Sequence, residues 1–193
     1  SQVEDAAFNL PAYLADKLAE AAMIDEDNRF LTGSGQGSPE GILPSSANSN
    51  DLAEVESATA SSIGWDDLID MFYSIMARYR GQAVWIAENA TYAAIAKLEA
   101  GTDGQKYWKD QYGVYASESP RPRPLMSKPA LEQEVMPSVA DSAYPVLFGD
   151  LKGYTVVDRV GMSIERYLDS ATARQDMVAY LMRRRLGGKV MEP

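Results

Sequence analysis

The chain has 193 residues, with 18 basic and 28 acidic side chains for a formal net charge of -10, and it contains neither histidine nor cysteine. Those absences exclude a disulfide framework, a thiolate nucleophile, a cysteine-rich zinc site, Ser-His-Asp and Cys-His machinery, and the H-E-x-x-H metalloprotease site. Any catalysis has to rest on Asp, Glu, Lys, Tyr or a hard cation held by oxygens.

Asn9 before Leu10 and Pro11 reads as a helix start, since the amide side chain caps free N–H groups and proline is tolerated in the first turn. Leu10, Leu14, Leu18, Ala21 or Ala22, and Met23 or Ile24 recur at helical spacing, which leaves Asp16, Lys17, Glu20 and Asp27 for the wet side. A helix from Leu10 to about Phe30 is about 30 Å long at 1.5 Å per residue. It runs into FLTGSGQGSPEGIL, Phe30 to Leu43, where Gly33, Gly35, Gly37 and Gly41 with Pro39 end the helix and permit positive φ angles. The polar stretch from Pro44 to Ser62 reads as a surface connection.

From Trp65 onward, Leu68, Ile69, Phe72, Ile75, Met76 and Tyr79 predict a second amphipathic helix, with Asp66 and Asp67 at its N-terminal dipole, Arg78 and Arg80 at its end, and Gly81 as the stop. Ala83 to Ala87 predicts a short buried strand, and Asn89 caps a third helix from about Ala90 to Leu98. Gly101 to Gly104 is a turn, Lys106 to Arg123 has little periodicity, and prolines 120, 122 and 124 make a stiff extended piece. The tail predicts strands at Pro145 to Phe148, Tyr154 to Arg159, Met162 to Arg166 and Met177 to Arg183, broken by Gly149, Gly153, Gly161, Asp169 and the pair Gly187 and Gly188. The fold class is α+β.

At 46% hydrophobic and 24% charged, the composition is that of an ordinary globular protein, and a chain of this length buries about 70% of its unfolded surface in one large domain or two small ones. No apolar run reaches the roughly 18 to 20 residues of a membrane span, and the N-terminus lacks the regions of a signal peptide. The expectation is a protein that works in solution in a cytoplasm. Its charge is uneven: residues 1 to 60 hold 11 acids against Lys17 and Arg29, a net of -9, and the other 133 residues are nearly neutral. That balance argues against a phosphate-gripping surface, because nucleic-acid affinity comes largely from Lys and Arg displacing counterions.

Each candidate site has a plainer explanation. The glycine loop lacks the Lys-Ser or Lys-Thr of a P-loop and follows a helix instead of joining a strand to one, so it is a turn that needs glycine for backbone shape. Asp25, Glu26, Asp27 and Asn28 resemble the opening of a calcium loop, but Arg29 and Phe30 stand where a ligand and the obligatory glycine belong. Asp66, Asp67 and Asp70 are explained by the helix dipole. Asn89-Ala90-Thr91 matches the glycosylation pattern, with a helix cap as the simpler account. Arg183, Arg184 and Arg185 form the basic run of the chain. On a strand at most two of them share a face, where they touch nucleic acid or pair with acids of a neighbouring subunit.

The order of motifs resembles the major capsid proteins of tailed bacteriophages, whose shell fold is shared with encapsulins. The elements are a long helix running into FLTGSGQGSPEGIL, then PLMSKPA (Pro124 to Ala130), Met136-Pro137, VLFGDL (Val146 to Leu151), YTVVDRVGMSIER (Tyr154 to Arg166) and RRRLGGKV (Arg183 to Val190). The match runs from about Phe8 to the C-terminus. It implies a peripheral domain, residues 1 to 50 and 161 to 193, with a spine helix packed on a β-sheet, and an α/β axial domain, residues 51 to 160. It also implies a structural subunit, not an enzyme, that needs no cofactor or metal and self-assembles into pentamers and hexamers of an icosahedral shell. Structural or assembly roles then fall on Gly33, Gly35, Gly37, Pro39, Gly41, Asp150, Asp158, Arg159, Arg183, Arg184 and Arg185.

The partners implied are copies of the chain itself, portal and scaffold proteins, and DNA held by enclosure without sequence-specific contacts or any membrane. The place implied is the virion, after assembly in the host cytoplasm. The acidity of residues 1 to 60 suits a wall that faces packaged DNA without adhering to it. The family carries an N-terminal arm and an extended β-hairpin loop before the spine helix, whereas this sequence begins almost at the helix with Ser1. The expectation is therefore a fragment or processed chain, to which no crosslinking residue is carried over. The alternatives are an encapsulin-like compartment shell, a carboxylate-based hydrolase using residues such as Asp66 or Asp150, and a binding module for a peptide or tail component.

Overall fold

The computed structural model describes residues 10–44, 52–100, 105–108, 124–167 and 179–191. The expected cap at Asn9, the turn at Gly101 to Gly104, the extended piece over 109–123 and the break at Asp169 lie outside the described residues. The chain forms two compact units, one of residues 1–49 and 154–191 and the other of residues 50–153 with 192–193.

The first unit contains helix α1 (Leu10–Thr32) and a two-stranded antiparallel ribbon of strands that, in chain order, are β6 (Tyr154–Tyr167) and β7 (Ala179–Val190). Leu14, Leu18, Ala22, Glu26 and Phe30 are half-buried along one stripe of α1, as steps of four residues on a helix dictate. Met23 and Ile24, expected on the apolar face, are instead 63% and 61% exposed. At 100° per residue they lie on the side of Asp16, Glu20 and Asp27. Glu26 takes the place on the stripe because it pairs with Arg184.

Gly161 and the pair Gly187 and Gly188 were expected to break the tail, yet β6 and β7 pair from Tyr154↔Val190 to Tyr167↔Ala179. The register shifts between Asp158 and Val160 and again between Val160 and Ser163. Arg159 and the pair Gly161 and Met162 thus fall at β-bulges, which bend a strand without ending it. Gly188 lies under the phenol of Tyr154, where a Cβ would come within 2.1 Å of the hydroxyl oxygen. The second segment of the first unit starts at Tyr154, the first residue of this strand.

The second unit holds α2 (Trp65–Ser74), α3 (Ala77–Arg80), β1 (Val84–Ala87), α4 (Asn89–Lys97), β2 (Glu99–Ala100), β3 (Gln105–Lys106), β4 (Ala130–Glu132) and β5 (Val146–Gly149). β2 and β3 pair with each other. β1 is the middle strand of a sheet ordered β4-β1-β5, parallel to β4 and antiparallel to β5. Trp85 of β1, opposite both Ala130 and Phe148, is fully buried and stacks on Phe148 at 4.1 Å between centroids. Its indole N–H donates to the Leu125 carbonyl at 3.0 Å, satisfying the one polar atom the ring carries inward. Leu68, Ile95 and Leu125 complete the centre of this core.

The single helix expected from Trp65 to Tyr79 is interrupted. Ile75 and Met76 are extended, and the Arg80 guanidinium donates to the Ile75 carbonyl at 2.8 Å while lying over the Phe72 and Tyr73 rings. Asn89 is the first residue of α4, and Glu88 stands at the cap position without a side-chain cap bond. At the start of α2, Asp67 does more than meet the dipole, since it accepts hydrogen bonds from the Gly64 and Ala58 N–H groups and from the Ser57 hydroxyl. Burial raises its pKa, but those three donors outweigh burial and hold it below the usual carboxylate value.

Leu125 reaches the core from a two-residue turn. Leu125 and Lys128 exchange both backbone hydrogen bonds at 2.9 Å, and Met126 and Ser127 between them have φ of 49° and 64°. This is the pattern for which Asn-Gly is preferred, because side chains with a Cβ are strained at positive φ. Met126 packs against the core and Ser127 is exposed, so the single substitution Ser127→Gly should stabilise the second unit by about 1 kcal/mol. A rise in the urea midpoint with unchanged slope is the expected reading.

Candidate functional site

The first unit is held together where α1 ends. A helix leaves its last carbonyls without intrahelical donors, and here the chain returns to supply them. Ile42 donates to Phe30 and Leu43 to Leu31, both at 2.9 Å, and Gly41 donates to Gly33 at 2.8 Å. Leu31 and Leu43 are buried by that return.

Backbone contact this close admits no side chain at two of the glycines. A Cβ on Gly33 would stand 2.2 Å from the Pro39 carbonyl oxygen, and one on Gly41 would stand 2.5 Å from the Gly33 nitrogen. Gly35 and Gly37 carry the reversal at φ of 74° and 71°. Pro39 is buried, and its carbonyl accepts from Gly35 at 3.2 Å.

The turn is also the clasp to the ribbon, and this the sequence did not disclose. Glu40 donates its N–H to the Gly188 carbonyl at 2.8 Å, and its own carbonyl accepts the Tyr154 hydroxyl at 2.7 Å. Phe30 meets the Tyr154 ring edge to face at 5.8 Å, and Lys189 stands 3.9 Å from the Glu40 carboxylate. Burial, and then the Glu40 charge, push the Tyr154 phenol up to about 12.

Further along the helix Arg184 pairs with Glu26 and, at 3.3 Å, with Asp158. Of the residues singled out in the sequence, then, Gly33, Gly35, Gly37, Pro39 and Gly41 gather in one turn, and Asp158 and Arg184 in one ion-pair set. Arg159, Arg183 and Arg185 are exposed on the ribbon. Asp150 belongs to the second unit, where its carboxylate accepts the Lys152 N–H at 3.1 Å and forms a short 3-10 turn.

Among the described residues no group of three or more carboxylates is placed to hold a metal ion, and no helix is long and apolar enough to cross a membrane. Asp67 is committed to loop donors and Asp150 to its own turn. Among the described residues the geometry provides backbone closure and ion pairing.

Residues 2–193 match the phage capsid family. The fold is similar to the capsid of an empty GTA particle, with a TM-score of 0.84 and 28% identity over 99% of this chain and 66% of the other. It is similar to the capsid of the native GTA particle with a TM-score of 0.83, again at 28% identity, over 98% and 65%. Gordonia phage Cozz shares the fold at 15% identity, with a TM-score of 0.61 over 95% and 61%. No curated protein matches.

The fold is that of the capsid shell proteins. The chain belongs to the phage capsid family. It spans about two thirds of the length of the GTA capsid chains it matches.

Two measurements test the clasp. Gly33→Ala should cost about 3 kcal/mol because backbone atoms must move, whereas Gly37→Ala, with open space around it, should cost about 1 kcal/mol from φ alone. Urea unfolding ranks them. Because the folded pKa of Tyr154 lies above the ordinary value of 10.0, its contribution is complete below about pH 10 and is lost as pH rises through 12. Alkaline absorbance titration of the wild type minus Tyr154→Phe should show one phenol ionising near 12, and a difference curve centred near 10 contradicts the clasp.

Proposed function

We propose that this chain is the body of a major capsid subunit of a tailed phage or prophage, which self-associates into the pentamers and hexamers of an icosahedral shell enclosing DNA. The first unit serves as the peripheral part and the second as the axial part around the symmetry axes. The observation that carries the reading is the likeness to GTA capsids over 98% or more of this chain. Portal and scaffold proteins are the further partners, and the virion, assembled in the host cytoplasm, is the place of action.

Surface composition supports it. On one face of the ribbon Val157 and Val160 are 60% and 46% exposed. Apolar surface of this kind marks an interaction site in a folded chain. Absence of histidine and cysteine costs a shell subunit nothing, because its task is geometric and closed symmetry repeats each modest contact many times.

Negative-stain electron microscopy and sedimentation velocity at rising concentration should show pentameric or hexameric rings and closed shells. A strictly monomeric species at high concentration overturns the reading.

A further inference from the structure

Directly opposed residues of an antiparallel pair point to the same face of the ribbon. Asp158 and Arg184 belong to the face that meets α1, as their ion pairs with each other and with Glu26 require. Arg183 and Arg185 therefore stand on the other face. Val160 lies opposite Arg185, with Val157 and Leu181 along the same face. Val157 is 60% exposed, Val160 46% and Leu181 37%, and both arginines are exposed. Among the described residues neither arginine has an ion-pair partner.

The complementary surface is on α1. At 100° per residue Asp16, Met23, Ile24 and Asp27 fall in one sector about 100° wide, turned away from the half-buried stripe. All four are exposed, and among the described residues Asp16 and Asp27 have no ion-pair partner.

We propose that these faces are the two halves of one head-to-tail contact between copies, an inference that rests on the shell reading above. Arg183 and Arg185 of one copy lie against the acidic side of the next copy's α1, between Asp16 and Asp27, with Met23 and Ile24 on Val160 beside Arg185. Every copy carries both faces in its first unit, so the contact is heterologous and propagates instead of stopping at a dimer. The occupant is a second copy and not DNA because apolar side chains share the face with the arginines. A phosphate backbone matches the cations alone, whereas the acidic, apolar side of α1 matches both.

Charge reversal supplies the test. Arg183→Glu with Arg185→Glu leaves both faces acidic, and Asp16→Arg with Asp27→Arg leaves both basic. Each variant alone should weaken self-association about a hundredfold in sedimentation velocity, since like charges then oppose across the contact. An equimolar mixture should recover it, because in an alternating array every acidic face meets a basic one. Circular dichroism and thermal melting check that these exposed substitutions leave the fold unchanged.

Variants that associate as tightly as wild type, or a mixture no better than its components, overturn this contact while leaving the shell reading intact. A wild-type chain that is monomeric throughout overturns the shell reading and the contact with it. Duplex DNA retained by wild type and released by the Arg183→Glu, Arg185→Glu variant, with self-association unchanged, assigns the arginine face to nucleic acid and overturns the proposal.

Discussion

The carbonyl end of α1 is the constraint on which the first unit depends. Helices commonly close their last carbonyls with a single left-handed residue, but here the chain reverses over Gly33 to Gly41 and returns Ile42 and Leu43 alongside the helix. That closure brings backbone onto backbone at Gly33 and Gly41. It also turns both polar groups of the Glu40 peptide toward the ribbon, one to Gly188 and one to Tyr154. The register of β6 against β7 is then anchored at one end, and Arg184 falls over Glu26 further along the helix. Glycine spacing in a short motif thus sets the place of an ion pair formed by residues far away in sequence.

How much of this was legible follows from the range of each interaction. The helix, the turn and the short strand at Trp85 are local patterns, and they stand where periodicity and glycine placed them. The partners of the turn are not local: Tyr154 reaches Glu40 across 114 positions, and no spacing rule connects them. Gly161 and Gly188 misled for a related reason. Glycine in a strand marks either a stop or a place where something must fit, and only the opposing strand distinguishes a bulge at Gly161 or a phenol over Gly188 from a break. The interruption after Ser74 was hidden because it depends on one guanidinium folding back to the Ile75 carbonyl. Asp67 was half legible: its position in the first turn was plain, its grip on Ser57 and Ala58 was not.

Arg183, Arg184 and Arg185 show what alternation alone can decide. Neighbours on a strand face opposite ways, so the run had to divide, but which member turned inward was fixed by Glu26 and Asp158. The inward arginine stabilises the unit through its pairs. The outward two have no such partners among the described residues, which makes them informative about what lies outside the chain.

The two units also differ in what holds them. The second has a core in the usual sense, with Trp85, Leu68, Ile95 and Leu125 almost wholly removed from water. In the first, Leu31 and Leu43 are the buried hydrophobic residues among those described, while valines of the ribbon and Met23 and Ile24 of α1 stay wet. Among the described residues α1 covers one side of the two-stranded ribbon and nothing covers the other, and an uncovered apolar face gains free energy when covered, at roughly 25 cal/mol per Å². In the proposed shell that gain is realised only when a neighbour arrives. The charge that distinguishes residues 1 to 60 acts on the same step, because in the proposed contact the acids of α1 face the arginines of a neighbour's ribbon.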